Sequence, residues 1–248
     1  MNGAAGAARA VMRSLLLLPL SAACISDFLL SSASRSIRDR VRWLSRSSVR
    51  HAKWMGVRIN VHGEIPTGGL IVSNHVSYVD IVALSAVAAC AFVSKKEVAR
   101  WPLFGLYARC GATIFVDRER RSAVADVAGE MRERLDAGVP LTLFPEGTST
   151  DGKDVLPFRS SLFEPVVELG CPVTACALRY SLNGGSVADE VAYWGDMRLA
   201  PHLLNFLGKT GVTLDIRFGP SSHRTGDRKT LARDLHTEVC ALLHGSAA

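Results

Sequence analysis

From residue 56 onward, short apolar runs alternate with longer stretches whose apolar positions recur every three to four residues. The runs at 70–72, 91–94, 112–116, 141–144, 173–178 and 212–218 read as strands. Between them, 78–89, 97–109, 122–137, 161–169 and 228–243 carry helical spacing, the second interrupted near Trp101-Pro102. Val124, Ala128, Met131 and Leu135 share one helix face, as do Leu231, Leu235 and Val239, and Gly138 and Gly170 stand where two helices should close. Strands alternating with helices of this length predict an α/β fold, a mixed, mostly parallel sheet flanked by helices.

Residues 1–55 have a different pattern. Positions 10–33 are apolar over about the length of a membrane span but are broken by Pro19 and Asp27, and a carboxylate is costly in lipid. An interfacial helix, a re-entrant helix or a hairpin fits at least as well as a clean span. The next block, 35–53, sets seven Lys and Arg residues against Asp39 alone, with Ile37, Val41 and Leu44 at helical spacing. A basic helix with an apolar stripe suits an anionic membrane surface; a solvated helix packed on the domain is the alternative. Arg9, Arg13 and the small residues Ser21-Ala22-Ala23 also allow a cleaved signal peptide, but basic residues following the apolar stretch so closely favour retention on the cytoplasmic side. The chain therefore divides into a membrane-associated helical segment, 1–55, and a domain, 56–248, expected on the cytoplasmic face of the inner membrane.

Composition narrows the classes. A chain of 248 residues, 48% hydrophobic and 21% charged, can bury a sizeable core and is not disordered. The basic block accounts for the whole net charge of +6, and the remainder is balanced, which argues against nucleic acid as a partner. The six cysteines include no Cys-x-x-Cys pair, so neither a disulfide framework nor a zinc site is expected, and no metal or cofactor is called for.

The candidate chemistry lies just after predicted strands. His75 follows 70–72, Arg118 follows 112–116 and Glu146 follows 141–144, and in such sheets functional residues gather where strands end. Asp80, five residues after His75, can fold back across a helix start to hold the imidazole's tautomer and stabilise its cation. Ser73 and Ser77 lie close by and are expected to cap rather than to attack; Cys110 and Cys171 are expected in the core.

Asn74-His75 with Asp80, Phe115-Val116-Asp117-Arg118, Phe144-Pro145-Glu146-Gly147-Thr148 and Cys171-Pro172-Val173, in that order, resemble the four blocks of the glycerolipid acyltransferases. The best-known members are the 1-acylglycerol-3-phosphate acyltransferases. Lys95-Lys96-Glu97 and Trp101-Pro102-Leu103-Phe104-Gly105 resemble the segment linking the first two blocks. The resemblance implies direct transfer of a fatty acyl group from acyl-carrier protein or coenzyme A to a lysolipid hydroxyl, with His75 as base and Asp80 orienting it. Arg118 would hold a phosphate through its planar fork. Gly147 would let the backbone approach the ligand, Thr148 would donate a hydrogen bond, and Glu146 would accept one from a glycerol hydroxyl or a basic neighbour. Arg159 stands where the family commonly has Lys and would supply positive charge.

One departure bears on the acceptor. Many members continue Gly-Thr-Arg-Ser, whereas this chain reads Gly147-Thr148-Ser149-Thr150-Asp151-Gly152, which resembles the branch that acylates lyso-ornithine lipid. The expected acceptor is 1-acylglycerol 3-phosphate, with lyso-ornithine lipid as the alternative. A non-catalytic lipid-binding protein and a thioesterase using His75 to activate water are the rival readings.

Overall fold

The computed structural model describes residues 3–31, 36–117 and 123–245. Two helices lead, α1 (Gly3–Leu30) and α2 (Ile37–Met55). Ser36 caps α2 by accepting from the Asp39 N–H, and Gly56 ends it in the left-handed region that a residue with a Cβ disfavours. The rest runs β1 (Val57–His62), β2 (Leu70–Ser73), α3 (Val79–Ala88), β3 (Ala91–Lys95), a 3₁₀ turn (Lys96–Arg100), α4 (Phe104–Cys110), β4 (Ile114–Val116) and α5 (Ala123–Asp136). It continues with β5 (Leu141–Leu143), a 3₁₀ turn (Ser160–Phe163), α6 (Glu164–Leu169), β6 (Pro172–Leu182), α7 (Val187–Glu190), α8 (Leu199–Leu207), β7 (Val212–Phe218), β8 (Ser222–His223) and α9 (Arg228–His244).

The strands form one mixed sheet in the order β1-β7-β6-β2-β5-β3-β4, with β8 beside β6. β7 and β8 run antiparallel to β6; every other pairing is parallel. The expected fold class is the observed one. Both faces are covered, and the pleat sorts side chains between them. In β2, Ile71 joins the core that contains Trp43, Tyr78 and Phe206, whereas Leu70 and Val72 join the core of Phe163, Leu235 and Val239 on the other face.

Several elements differ from the expected ones for physical reasons. Helix 97–109 is split, because Pro102 cannot continue a helix and Leu103 turns into positive φ before α4 begins. β6 extends four residues beyond 178, since it pairs with β7 over that whole length. β1 and α8 were not anticipated. β1 is an edge strand with half-buried positions, and α8 is amphipathic but follows a loop with no apolar run to announce it.

Registry brings the site together. β2 and β5 pair in parallel with Val72 opposite Leu143. Three residues beyond each of these stand His75 and Glu146, so the two loops leave the sheet side by side.

Candidate active site

Once β2 ends, the chain bends away from the sheet, and the Asn74 side chain takes over the pairing. Its amide donates to the Leu178 carbonyl (3.0 Å) and accepts from the Leu178 N–H (2.8 Å), both buried. This pins the residue before His75 to β6. Asn74 was part of the sequence pattern but had no assigned role.

The fully buried Asp80 carboxylate accepts four hydrogen bonds. One oxygen takes His75 Nδ1 at 2.8 Å, Val76 N at 2.7 Å and Ser77 N at 3.0 Å; the other takes the Tyr180 hydroxyl at 2.6 Å. With only an acceptor opposite it, Nδ1 carries the ring proton, which leaves the Nε2 lone pair unprotonated and able to take a proton. Burial and the Asp80 charge push the Tyr180 hydroxyl far up, so it stays a donor. Tyr180 was missed in the sequence, where nothing local links it to a carboxylate 100 residues earlier. Phe144 stacks on the His75 ring at 4.3 Å and fixes its plane.

Ser77 does not cap the following helix as expected. Its hydroxyl is buried without a hydrogen-bond partner, and the Asp80 carboxylate holds the backbone N–H groups of the turn instead. Ser73 Oγ donates to the Asn74 carbonyl. The Cys110 and Cys171 thiols are pushed up by burial, which suits packing rather than nucleophilic attack.

The head-group residues fare differently. Arg118 lies outside the described residues. Gly147 is buried with φ 76°, turning the chain sharply, and with Thr148 it lines a cavity beside His75. Glu146 is 2% exposed, and each of its oxygens accepts a backbone N–H, from His75 at 2.6 Å and from Leu156 at 2.7 Å. The carboxylate thus braces two loops. Burial outweighs those hydrogen bonds and pushes its pKa up to about 7. Arg159 is exposed and not among the cavity's lining residues; its backbone N–H donates to the Pro145 carbonyl, so the structure does not bring its charge to His75.

The cavity has a volume of about 360 Å³. His75, Phe144, Trp101 and Tyr193 line one part, and Leu44 and Trp54 of α2 line another. Its wall is largely aliphatic and aromatic, which suits a hydrocarbon chain. Among the described residues, no three His, Cys, Asp or Glu side chains converge as a metal would need.

A family model described as Acyltransferase matches residues 58–179. The lyso-ornithine lipid O-acyltransferase of Rhizobium meliloti is 36% identical, over 94% of this chain and 82% of its own length. The chain belongs to the acyltransferase family. The lyso-ornithine lipid O-acyltransferase of Brucella abortus is similar at 38% identity, over 79% of each chain. The 1-acyl-sn-glycerol-3-phosphate acyltransferase of Neisseria gonorrhoeae is 32% identical over 62% of this acyltransferase and 60% of its own length. In structure, the 1-acyl-sn-glycerophosphate acyltransferase of Thermotoga maritima shares the fold, with a TM-score of 0.64 at 19% identity over 95% of this chain and 99% of that one. The matched segment of this acyltransferase carries the His75–Asp80 pair, Glu146 and Tyr180's neighbour Arg179 at its end.

Proposed function

We propose that this acyltransferase moves a fatty acyl group from a thioester of acyl-carrier protein or coenzyme A to a lysolipid hydroxyl, with His75 as general base. The observation that carries the reading is the buried Asp80 carboxylate, whose hydrogen bond from Nδ1 leaves Nε2 as the proton acceptor of a side chain lining the apolar cavity. Nε2 takes the proton of the acceptor hydroxyl as its oxygen attacks the thioester carbonyl. The new C–O bond forms, the C–S bond breaks, and the imidazolium returns the proton to the departing thiolate. Asp80 stabilises the transient imidazolium, and no acyl-enzyme is required.

Lyso-ornithine lipid is the acceptor this reading favours. The relatives matched over the larger share of the chain carry that name, and Ser149 stands where many phosphate-using members have Arg. 1-Acylglycerol 3-phosphate is the second reading, supported by the Neisseria relative. Membranes containing the protein, given labelled acyl-carrier protein or acyl-coenzyme A and each lysolipid in turn, decide between them. Label in the ornithine lipid supports the first reading, and label in phosphatidic acid alone overturns it.

The exposed apolar face of α1 supports a reaction at a membrane surface. Leu15, Leu18, Leu29 and Leu30 are each more than two-thirds exposed, along a helix apolar enough to enter lipid. The same helix is pinned to the folded body at several points. Arg9 donates to the Gly208 carbonyl, Arg13 to the Leu207 and Lys209 carbonyls, and Trp43 and Trp54 of α2 donate to the Cys24 and Arg13 carbonyls. These bonds to the folded body favour a helix lying in the interface over one crossing it. Asp27, the residue that argued against a span, pairs with Arg46 at 3.6 Å.

A further inference from the structure

Three segments interlock around His75. The Thr150 N–H donates to the His75 carbonyl at 2.9 Å, the Tyr193 N–H donates to the Val76 carbonyl at 2.9 Å, and Ser149 Oγ donates to the Tyr193 carbonyl. The loop after α7 is thereby fastened beside the base, and Tyr193, Trp194 and Gly195 all line the cavity. Trp101 stands edge-on to Tyr193, with ring centroids 6.3 Å apart. Trp194 is 41% exposed, yet its single polar atom is tied down, Nε1 donating to the Ala188 carbonyl at 3.0 Å. A large ring held by its N–H and left half in water is a fixed platform, not a floppy surface side chain.

The charge of the wall says what such a platform suits. Among the described residues lining the cavity there is no carboxylate and no arginine; besides the imidazoles, Lys95 is the one basic side chain. Among those described residues a phosphate dianion meets no guanidinium fork. For an ammonium entering the same space, the partner those residues offer is the electron-rich face of an aromatic ring.

We propose that Trp194 is a specificity-determining residue for the acceptor: its ring face receives the ammonium of an amino-acid head group by a cation–π contact, and Ser149, through the Tyr193 carbonyl, is the positioning residue that holds the loop in place. This rests on the reading of the acceptor as lyso-ornithine lipid, since ornithine, a diamino acid, keeps a carboxylate and an ammonium when one amine is acylated.

The test measures KM and kcat in membranes holding the full chain, with lyso-ornithine lipid and with the same lipid N-acetylated at its free amine. Wild type is compared with Trp194→Leu, Trp194→Tyr and Ser149→Ala. The expected result is a rise in KM of about 3- to 30-fold for Trp194→Leu with the free amine, recovered largely by Trp194→Tyr. The acetylated acceptor should have a raised KM with wild type that Trp194→Leu does not raise further. Ser149→Ala should move the free-amine KM in the same direction by less. An equal KM rise on both acceptors, accompanied by weaker binding to vesicles of phosphatidylethanolamine and phosphatidylglycerol, would make Trp194 an interfacial anchor and overturn the proposal. An unchanged KM for Trp194→Leu also overturns it. If wild type itself fails to acylate lyso-ornithine lipid, the acceptor reading falls before any variant is compared.

Discussion

Asp80 is the residue on which the site's geometry converges. Its four donors come from the turn after β2 and from near the end of β6, so the imidazole is oriented by the sheet as well as by its own loop. Tyr180→Phe removes one of them without opening a cavity. A hydrogen bond to a buried charge contributes about 1.5–3 kcal/mol, so urea unfolding of this variant should show a loss of that order, with kcat lowered more than KM. Glu146 makes a second prediction at this scale. Its folded-state pKa, about 7, lies above its ordinary 4.5, so the folded chain holds this proton more tightly than the unfolded one. Glu146 therefore favours folding most below pH 4.5 and loses that contribution as the pH rises through about 7. Glu146→Gln leaves one of the His75 and Leu156 N–H groups facing an amide N–H, costing about 1–3 kcal/mol, and should remove the fall in stability across that pH window. A wild-type stability that rises over the same window would contradict the account. His75 and Asp80 were legible as a pair because they sit five residues apart. Tyr180 and Asn74 were not, since their partners are brought near only by the β2–β6 pairing.

Among the elements, the strands that build the site were the easiest to read. β2 and β5 are short, mostly apolar and buried on both faces, and such runs stand out against their flanks. Their parallel registry, which sets His75 beside Glu146, is a tertiary choice that no local pattern encodes. For the same reason Glu146 could be recognised as part of the site while the two backbone N–H groups it holds could not: a carboxylate bridging two loops looks, in sequence, like one aimed at a ligand. Arg159 shows the converse. Its place in the pattern suggested a source of positive charge for the site, but the backbone after Pro157 carries its side chain to the surface while the peptide N–H stays tied to Pro145.

Across the whole molecule, α1 and α2 do two jobs with opposite faces. One face of α1 is left apolar and exposed, while Leu17 and α2's Leu44, His51 and Trp54 form part of the cavity wall. With α1 at a membrane surface as proposed, an acyl chain would pass from lipid toward His75 with little exposure to water. Leu15 and Leu18 are 72% and 74% exposed, so changing both to Ser should cost little folding free energy. It should nonetheless weaken flotation with anionic vesicles by about tenfold, given about 1.5–3 kcal/mol for each apolar side chain buried and only partial immersion. Vesicle binding that is unchanged would remove α1 from the interface.

The central claim is that His75 is the base for direct acyl transfer, and the most direct measurement is the transfer of labelled acyl groups to lyso-ornithine lipid by His75→Ala in membranes, beside wild type and with the melting temperature recorded. The account predicts a fall in transfer of about 10²–10⁴-fold with the fold retained. Full transfer by His75→Ala, or wild-type label released solely as free fatty acid, would contradict it.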